Sequence, residues 1–319
     1  MKKKSFGQSG LEVSSLCFGG NVFGWTINEE NSFRMLDAFV EGGGNFIDTA
    51  DVYSRWVPGH HGGESETIIG NWMKARGNRR DIVIATKVGM EMGPGKKGLK
   101  KDYIFSSVEN SLKRLQTDYI DLYISHQQDD DTTPEETSEA YGHLIKHGKI
   151  RVCGASNYSA KRLNKVIEAA HRNTSPAYQS LQPLYNLYDR AEFERTLQPV
   201  CEEHKLAVTP YFALVSGFLT GKYRTEKDIS AHTRGSRVEG YMNDRGFKIL
   251  AALDKVSKEL KSTPSTVALA WLMHQPIVTA PIASATNMKQ VTELVRAADL
   301  KLNADALALL DQASEPPIQ

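Results

Sequence analysis

Four polar side chains follow short apolar segments in the first half of the chain. Asp48, Lys87 and His126 each end or directly follow such a segment, and Tyr53 comes five residues after Asp48. A buried ammonium needs a counter-charge, so Lys87 is expected to pair with Asp48. A phenol has a pKa of about 10, and we expect the Lys87 ammonium to lower the pKa of Tyr53. With His126 donating a hydrogen bond, this set suits protonation of a carbonyl oxygen while hydride reaches its carbon.

These residues exclude some chemistries and leave simpler explanations open. They provide no nucleophile and base pair for acyl transfer and no cluster of metal ligands. The side chains carry no hydride, so the reduction implies a nicotinamide cofactor. Alternatively, Asp48 caps a strand, Tyr53 packs in the core, and Lys87 forms a structural ion pair. Their joint placement favours the catalytic interpretation.

The elements that must position these groups alternate regularly along the chain. Apolar segments typical of buried parallel strands alternate with segments of helical spacing. The predicted strands are residues 15–18, 45–47, 81–87, 120–125, 150–156, 178–182, 207–211 and 278–282. This rhythm predicts a (β/α)₈ TIM barrel, in which reactive groups lie at the carboxyl ends of the strands. An open doubly wound sheet is disfavoured because the Gly-x-Gly-x-x-Gly pattern is missing.

Three local signals refine this prediction. Ser9-Gly10 between short alternating segments predicts a β-hairpin over residues 3–13, before the barrel. Thr133 is expected to cap a helix that starts at Pro134, with Glu136 completing a capping box. The polar segment from residue 221 to 246 interrupts the rhythm. The chain shows no linker composition, so residues 1–319 are expected to form one domain.

Composition narrows the class of protein. The 319 residues include 39 basic and 38 acidic side chains, and a net charge of +1 favours neither nucleic acid nor an anionic membrane as partner. The three cysteines are far apart and are expected to be reduced, buried thiols of a cytoplasmic protein. The start of the chain has no apolar signal segment, and no run reaches the ~18 apolar residues of a membrane span. The expected partner is a small molecule, and a homo-oligomer is left open.

Several segments, in order along nearly the whole chain, resemble the aldo-keto reductases. The segments are Phe46-Ile-Asp-Thr-Ala-Asp-Val-Tyr53, Ala85-Thr-Lys-Val-Gly89, Asp121-Leu-Tyr-Ile-Ser-His126, Gly154-Ala-Ser-Asn157, Tyr178-Gln179, Leu219-Thr-Gly-Lys-Tyr223 and residues 281–293. The resemblance implies that Asp48, Tyr53, Lys87 and His126 form the catalytic tetrad, with Tyr53 as general acid. This agrees with the roles inferred from their chemistry.

The same resemblance implies where a nicotinamide cofactor binds. Ser156, Asn157 and Gln179 would hold the carboxamide, and Tyr211 would stack on the ring. Lys222 and Arg237 would contact the phosphates, and Ser284, Gln290 and Glu293 would lie at the adenosine. Leu214 and Gly217 are also implied as cofactor residues. Arg234 is an alternative to Arg237. From the residues alone, Ser156-Asn157 also fits a helix cap, and Arg237 also fits a solvated loop charge.

The adenosine end departs from the family pattern. Thr286 stands where an Arg or Lys is expected beside a 2′-phosphate, and Leu294 stands where an Asn is common. NADPH (NADP) is the cofactor implied by the resemblance, and selectivity over NADH (NAD) is left open. Gln290 can alternatively be a capping partner of Asn287.

Aromatic residues in the predicted loops suggest the class of substrate. Phe23, Trp25 and Trp56 are expected around the opening and suit an apolar or sugar-like carbonyl compound, whereas His60-His61 is expected to be a polar loop. The sequence thus predicts an NAD(P)H-dependent oxidoreductase that reduces an aldehyde or ketone. One alternative is a redox-sensing subunit, because the chain also resembles the potassium-channel β-subunit branch of the family. A second is a Schiff-base lyase using Lys87, which its pairing with Asp48 disfavours.

Overall fold

Short strands at the start of the chain form a hairpin, as predicted. The computed structural model describes residues 1–230 and 235–317. Strands β1 (Lys3–Ser5) and β2 (Glu12–Ser14) pair antiparallel. Between them, Gly10 has φ +75°, and Ser9 Oγ accepts the Leu11 N–H at 3.2 Å. The turn therefore needs the conformational freedom of Gly10, which the sequence provides at that position.

Eight parallel strands follow the hairpin and form the barrel. They are β3 (Cys17–Gly19), β4 (Phe46–Asp48), β5 (Val83–Val88), β6 (Ile120–Ser125), β7 (Ile150–Ser156), β8 (Ser180–Gln182), β9 (Ala207–Val208) and β10 (Ile282–Ala283). They pair in chain order, and β10 also pairs with β3. Two hydrogen bonds join the β9 region to the segment that leads into β10 and so close the barrel. Val208 O accepts the Thr279 N–H and Pro210 O accepts the Ile282 N–H, both at 2.8 Å. The predicted (β/α)₈ barrel is confirmed.

Helices cover the outside of the barrel. They are α1 (Glu29–Glu41), α2 (Glu64–Arg76), α3 (Lys101–Leu115), α4 (Pro134–Lys146), α5 (Ala160–Arg172), α6 (Gln198–Glu203), α7 (Glu226–Ser230), α8 (Asp244–Glu259), α9 (Pro264–His274), α10 (Met288–Ala297) and α11 (Ala304–Ser314). Most begin after a residue whose side chain accepts an N–H of the first turn, such as Asn28, Ser159 or Asn287. None of these helices is long and apolar enough to span a membrane.

The start of α4 agrees with the sequence in part. Thr133 Oγ1 accepts the Glu136 N–H at 3.2 Å, and Pro134 occupies the first turn. The expected capping box is wrong, because Glu136 Oε1 accepts the Lys101 N–H at 3.0 Å. Glu136 therefore satisfies a backbone donor at the start of α3, across the interface between the two helices.

The hairpin closes the amino-terminal end of the barrel. Phe6 of the hairpin and Phe46 of β4 are buried, and their rings meet edge to face at 5.6 Å. With Val13 they belong to an apolar cluster that includes barrel residues such as Leu122 and Ile124. A larger cluster lies between the sheet and the helices. Because this end is filled, the opposite end, where Asp48 lies, is the one open to a ligand.

The segment after β9 interrupts the regular alternation, as predicted. It contains short 3₁₀ turns at Val215–Thr220, Gly235–Arg237 and Glu239–Tyr241, together with α7. Positive φ angles at Phe212, Val215 and Ser216 make the chain turn sharply there. The expected residue Arg234 lies outside the described residues.

Candidate active site

The ammonium of Lys87 connects three of the predicted catalytic residues. Lys87 is 0% exposed and lies on β5, next to Asp48 at the end of β4. Its Nζ donates to Asp48 Oδ2 at 2.7 Å, to the Thr49 carbonyl at 2.7 Å and to Tyr53 Oη at 3.2 Å. An ammonium has three N–H donors, so all of them are used. The buried charge is thereby both paired and fully hydrogen-bonded.

These contacts set the protonation states of the pair. Burial alone would lower the pKa of Lys87, but Asp48 and Tyr53 outweigh burial and raise it. Burial raises the pKa of Tyr53 above its usual value of about 10, and the Lys87 ammonium only opposes that rise. The expectation that Lys87 brings the pKa of Tyr53 down is therefore wrong for this site. Desolvation of the phenolate outweighs the attraction of the cation, so Tyr53 keeps its proton.

His126 lies beside Tyr53 as a neutral imidazole. The two ring centroids are 5.9 Å apart, and His126 is 6% exposed. Burial, assisted by Lys87, lowers the pKa of His126 well below the usual 6.5. Its Nδ1 has no hydrogen-bond partner among the described residues. A neutral imidazole has one N–H donor and one acceptor, so His126 can donate a hydrogen bond without carrying charge.

Gln182, which the sequence analysis did not select, reaches the tetrad, whereas Gln179, expected at the nicotinamide carboxamide, does not. Gln182 ends β8, and its Nε2 donates to Asp48 Oδ1 at 2.9 Å. Gln179 lies before β8: its N–H donates to the Cys153 carbonyl at 2.9 Å, and its side chain donates to the Ala177 carbonyl at 3.3 Å. The structure therefore does not bring Gln179 to the site. The rule that strand carboxyl ends carry the reactive groups would have selected Gln182.

Ser156, Asn157 and Tyr211 lie together next to His126. Ser156 Oγ donates to the Gln182 carbonyl at 2.9 Å, and Asn157 Nδ2 donates to the His126 carbonyl at 2.8 Å. Tyr211 Oη donates to Asn157 Oδ1 at 2.9 Å. Asn157 has φ +54°, a left-handed conformation that Asn tolerates better than most residues. Asn157 and Tyr211 also line a cavity of about 420 Å³.

The loop after β9 brings Leu214, Gly217 and Lys222 together. The Leu214 carbonyl accepts the Gly217 N–H at 2.8 Å. Gly217 has φ +96°, and a Cβ built there would lie 2.6 Å from Lys222 Cε and 2.9 Å from its Nζ. A side chain at position 217 would therefore displace the Lys222 ammonium. Arg237 lies elsewhere, with its guanidinium 5.6 Å from the centre of the Trp25 ring.

The three residues expected at the adenosine make contacts within the protein. Ser284 Oγ donates to Asn21 Oδ1 at 2.6 Å, and Glu293 Oε2 accepts the Ser265 hydroxyl at 2.5 Å. Gln290 Oε1 accepts the Thr286 N–H at 2.7 Å and its hydroxyl at 3.1 Å. Gln290 therefore has a capping role at the start of α10. The sequence also allowed Gln290 to be a capping partner of Asn287. The structure agrees that Gln290 caps the helix, but the Gln290 side chain contacts Thr286 and not Asn287.

Two tryptophans border the site, and a third expected aromatic residue does not. The Tyr53 ring meets the Trp56 ring edge to face at 5.7 Å, and Trp56 meets Trp25 edge to face at 5.4 Å. Trp56 is 42% exposed. Phe23 is fully buried and stacks on Phe18 at 5.7 Å. The expectation that Phe23 lies at the opening is therefore wrong, because this ring belongs to the core.

Asp51 is a buried carboxyl group in the same chain segment as Asp48 and Tyr53, but it is not part of the tetrad. Asp51 is 2% exposed, and its Oδ1 has no hydrogen-bond partner among the described residues. Burial, with the nearby charge of Glu66, raises the pKa of Asp51 from 3.8 to about 8. The sequence contains Asp51 in the same segment as Asp48 and Tyr53, but residue type alone does not reveal its burial.

His60 and Glu64 make hydrogen bonds within the loop that follows Tyr53. His60 Nδ1 lies 3.0 Å from Ser54 Oγ. Glu64 accepts the Ser54, His61 and Gly62 N–H groups and so ties the loop that carries Trp56. Within residues 1–230 and 235–317, no three His, Cys, Asp or Glu side chains are grouped to hold a metal ion.

Comparison with known proteins decides the family. The model of the "Aldo/keto reductase family" matches residues 15–315. The chain belongs to the aldo/keto reductase family. It is 34% identical over 310 residues to a "Probable voltage-gated potassium channel subunit beta" of Oryza sativa subsp. japonica, covering 94% of this chain and 92% of the relative. It is 32% identical to the "Uncharacterized oxidoreductase YrpG" of Bacillus subtilis, covering 99% and 97%.

A third relative carries the name of a specific reductase. This aldo/keto reductase is 31% identical to the "Norsolorinic acid reductase" of Aspergillus flavus, covering 96% of this chain and 79% of the relative. The family and these relatives support carbonyl reduction as the general chemistry. The protein is thus an oxidoreductase of small carbonyl compounds.

Proposed function

We propose that the protein reduces an aldehyde or ketone to the alcohol with NADPH, and that Tyr53 is the proton donor. The observation that carries this proposal is the hydrogen bond from Lys87 Nζ to Tyr53 Oη. Because Oη accepts from the ammonium, its own proton is free to point elsewhere, toward a substrate oxygen. The raised pKa of Tyr53 keeps that proton in place near neutral pH.

The other polar residues hold this donor and orient the substrate. Asp48 and Gln182 fix the Lys87 ammonium through the Asp48 carboxylate. His126, as a neutral donor, hydrogen-bonds the carbonyl oxygen and stabilises the negative charge that develops on it. Tyr53 then delivers its proton to that oxygen. Lys87, which stays positively charged, stabilises the phenolate left behind.

Several residues fit a nicotinamide dinucleotide. Gly217 leaves the space in which Lys222 lies, and a Cβ at Gly19 would lie 2.6 Å from Ser284 Oγ. A phosphate-binding loop needs such bare backbone beside a cation. The proposed cofactor residues are Ser156, Asn157 and Tyr211 at the nicotinamide, Leu214, Gly217 and Lys222 at the phosphates, and Ser284, Gln290 and Glu293 at the adenosine. When bound, the reduced nicotinamide supplies the hydride. The expected compartment is the cytoplasm, where the buried thiols stay reduced.

The proposal is tested by removing the Tyr53 hydroxyl. In Tyr53→Phe we expect kcat for a simple aldehyde to fall about 10²–10⁴-fold, which is the usual contribution of a general acid. The NADPH dissociation constant should change less than about threefold, because Tyr53 is not among the proposed cofactor residues. Tyr119→Phe is the matched control: it removes the hydroxyl of a tyrosine whose ring lies against Arg79 and Arg151 and not against the tetrad. Full activity in Tyr53→Phe would exclude Tyr53 as the donor.

A second candidate function rests on one comparison. The relative from Oryza sativa is named a probable channel subunit, and its similarity covers nearly the whole of this chain. A subunit that senses the redox state of a bound cofactor would bind NADPH but turn over simple aldehydes poorly. Steady-state kinetics with a panel of aldehydes separates this function from that of an efficient reductase.

A further inference from the structure

An unbroken series of ring contacts joins the proton donor to a cation. Tyr53 contacts Trp56 at 5.7 Å, Trp56 contacts Trp25 at 5.4 Å, and the Arg237 guanidinium lies 5.6 Å from the centre of the Trp25 ring. We call the two tryptophans and Arg237 the aromatic wall. The wall begins beside the Tyr53 ring and ends at the positive charge of Arg237.

The charge at the end of this wall is available to a ligand. Arg237 is exposed, and no Asp or Glu of the described part of the chain lies within ion-pair distance of it. The family resemblance implies a phosphate contact for Arg237. Its observed contact is instead with Trp25, the tryptophan of the aromatic wall that is farther from Tyr53 along the series of contacts. Lys222, beside Gly217, remains the cation proposed for the phosphates.

We propose that the aromatic wall selects carbonyl substrates that combine a flat aromatic body with a carboxylate at the far end. This inference rests on the proposed function and adds the substrate class. The carbonyl lies at Tyr53 and His126, the aromatic rings lie against Trp56 and Trp25, and the carboxylate meets Arg237. Indole rings bind flat apolar groups by stacking or edge contact, and a guanidinium binds a carboxylate through two parallel hydrogen bonds.

The proposal also specifies the number of aromatic rings in the substrate. Two indole rings lie between Tyr53 and Arg237 along this series of contacts, and the proposal places one aromatic ring of the substrate against each of them. A substrate with two aromatic rings between its aldehyde and its carboxylate matches the wall better. We therefore expect 4′-formylbiphenyl-4-carboxylate to be preferred over 4-carboxybenzaldehyde.

The test compares matched pairs of aldehydes. The probes are 4′-formylbiphenyl-4-carboxylate and its methyl ester, and 4-carboxybenzaldehyde and its methyl ester. In the wild-type protein with saturating NADPH, we expect kcat/KM for the biphenyl acid to exceed that of its ester about tenfold, as one charge-assisted contact at an exposed site allows. In Arg237→Gln the ratio should fall to about one. Arg237→Lys should keep part of it, because the charge remains but the planar fork is lost.

Two controls separate carboxylate binding by Arg237 from a general effect of surface charge and from an effect on the cofactor. Arg55→Gln removes an exposed positive charge adjacent to Trp56 in sequence and should leave the acid-to-ester ratio unchanged. NADPH affinity is measured in Arg237→Gln and should equal that of the wild type. If Arg237→Gln weakens NADPH binding and lowers kcat/KM for acid and ester alike, Arg237 serves the cofactor and the inference is overturned.

A binding measurement separates failure of the inference from failure of the proposed function. Biphenyl-4-carboxylate, which has no carbonyl to reduce, is titrated while tryptophan fluorescence is followed. Binding to the wild type that is lost in Arg237→Gln supports the wall even if no aldehyde is reduced, and in that case the proposed function alone fails. Equal reduction of acids and esters by an active wild-type enzyme overturns the wall and leaves the reductase function standing.

Discussion

Gln182 Nε2 donates a 2.9 Å hydrogen bond to Asp48 Oδ1 across 134 positions of the chain. Both residues are buried, and the same carboxylate binds the Lys87 ammonium. The amide therefore fixes the orientation of Asp48, which in turn fixes Lys87 beneath Tyr53. Gln182 also connects the tetrad to the proposed nicotinamide residues, because its carbonyl accepts the Ser156 hydroxyl.

The first prediction concerns Gln182→Leu. We expect kcat for aldehyde reduction to fall about tenfold or more, because one hydrogen bond to a charged group is worth about 1.5–3 kcal/mol. The matched control is Gln179→Leu, an identical change at the residue that directly precedes β8. It should leave kcat within about twofold. Both variants are purified, checked by thermal unfolding and assayed with saturating NADPH.

A loss of activity in Gln179→Leu with normal activity in Gln182→Leu would reverse this assignment. A drop in melting temperature without a change in kcat would reduce Gln182 to a structural role. The pH dependence of kcat adds a readout that packing alone does not move, since Gln182 acts on an ionised group.

The second prediction concerns the pH dependence of reduction. The pKa of His126 is lowered well below 6.5, so the imidazole stays neutral as the pH falls through 6. The pKa of Tyr53 is raised above 10, so the phenol stays protonated as the pH rises through 9. We therefore expect kcat/KM for a neutral aldehyde to be nearly flat between about pH 6 and 9. A decline centred near pH 6.5 would show that His126 titrates at its usual value.

The barrel could be predicted from the sequence because short, mostly apolar segments alternate with segments of helical spacing along the chain. The end of such an apolar segment also located Asp48, Lys87 and His126. The same reasoning failed at Gln179 and Gln182. Gln179 lies just before β8 and Gln182 ends it, so choosing Gln179 moved the prediction away from the carboxyl end of the strand.

Other failures depended on burial, which residue type does not reveal. The pKa of Tyr53 rises because desolvation outweighs the Lys87 charge, and both effects act on the same atom. Phe23 is an aromatic residue in a predicted loop, which suits the opening of a pocket, but its ring stacks on Phe18 in the core. Glu136 has the spacing of a capping box, yet its side chain accepts a backbone N–H at the start of the neighbouring helix. Each outcome depends on contacts between distant parts of the chain.

The third prediction concerns cofactor selectivity at Thr286. No basic side chain stands at this position, where a cation would be expected beside a 2′-phosphate, and the Thr286 hydroxyl donates to Gln290. We expect Thr286→Arg to strengthen NADPH binding about tenfold, because a guanidinium pairs well with phosphate, and to leave NADH binding nearly unchanged. Fluorescence titration with both cofactors measures the change.

Thr286→Ala is the control, since it removes the hydroxyl without adding charge and should affect the two cofactors equally. If Thr286→Arg strengthens NADH and NADPH alike, the 2′-phosphate does not lie at this position. If the wild type binds neither cofactor, the proposed reductase function is wrong.

The last prediction concerns stability and Asp51. The pKa of its carboxyl rises from 3.8 in the unfolded chain to about 8 in the folded protein. Between these values the folded protein holds a proton that the unfolded chain has lost, so stability falls as pH rises from about 4 to 8. The slope is about 1.4 kcal/mol per pH unit for one proton. Asp51→Asn removes the carboxyl group and with it this loss of stability, so the variant should unfold at a higher urea concentration than the wild type at pH 7–8.

The advantage of Asp51→Asn should shrink as the pH falls from 8 toward 4 and vanish below about pH 3, where the carboxyl of the wild type is largely protonated in both states. Urea unfolding at pH 5, 6, 7 and 8 gives the free energy of unfolding for each variant. Asp118→Asn is the control: Asp118 is exposed in the turn before β6, and its replacement should leave the pH slope unchanged. A constant difference between Asp51→Asn and the wild type across this range would mean that Asp51 is ionised in the folded protein, with its free Oδ1 satisfied by water or by a bound ligand.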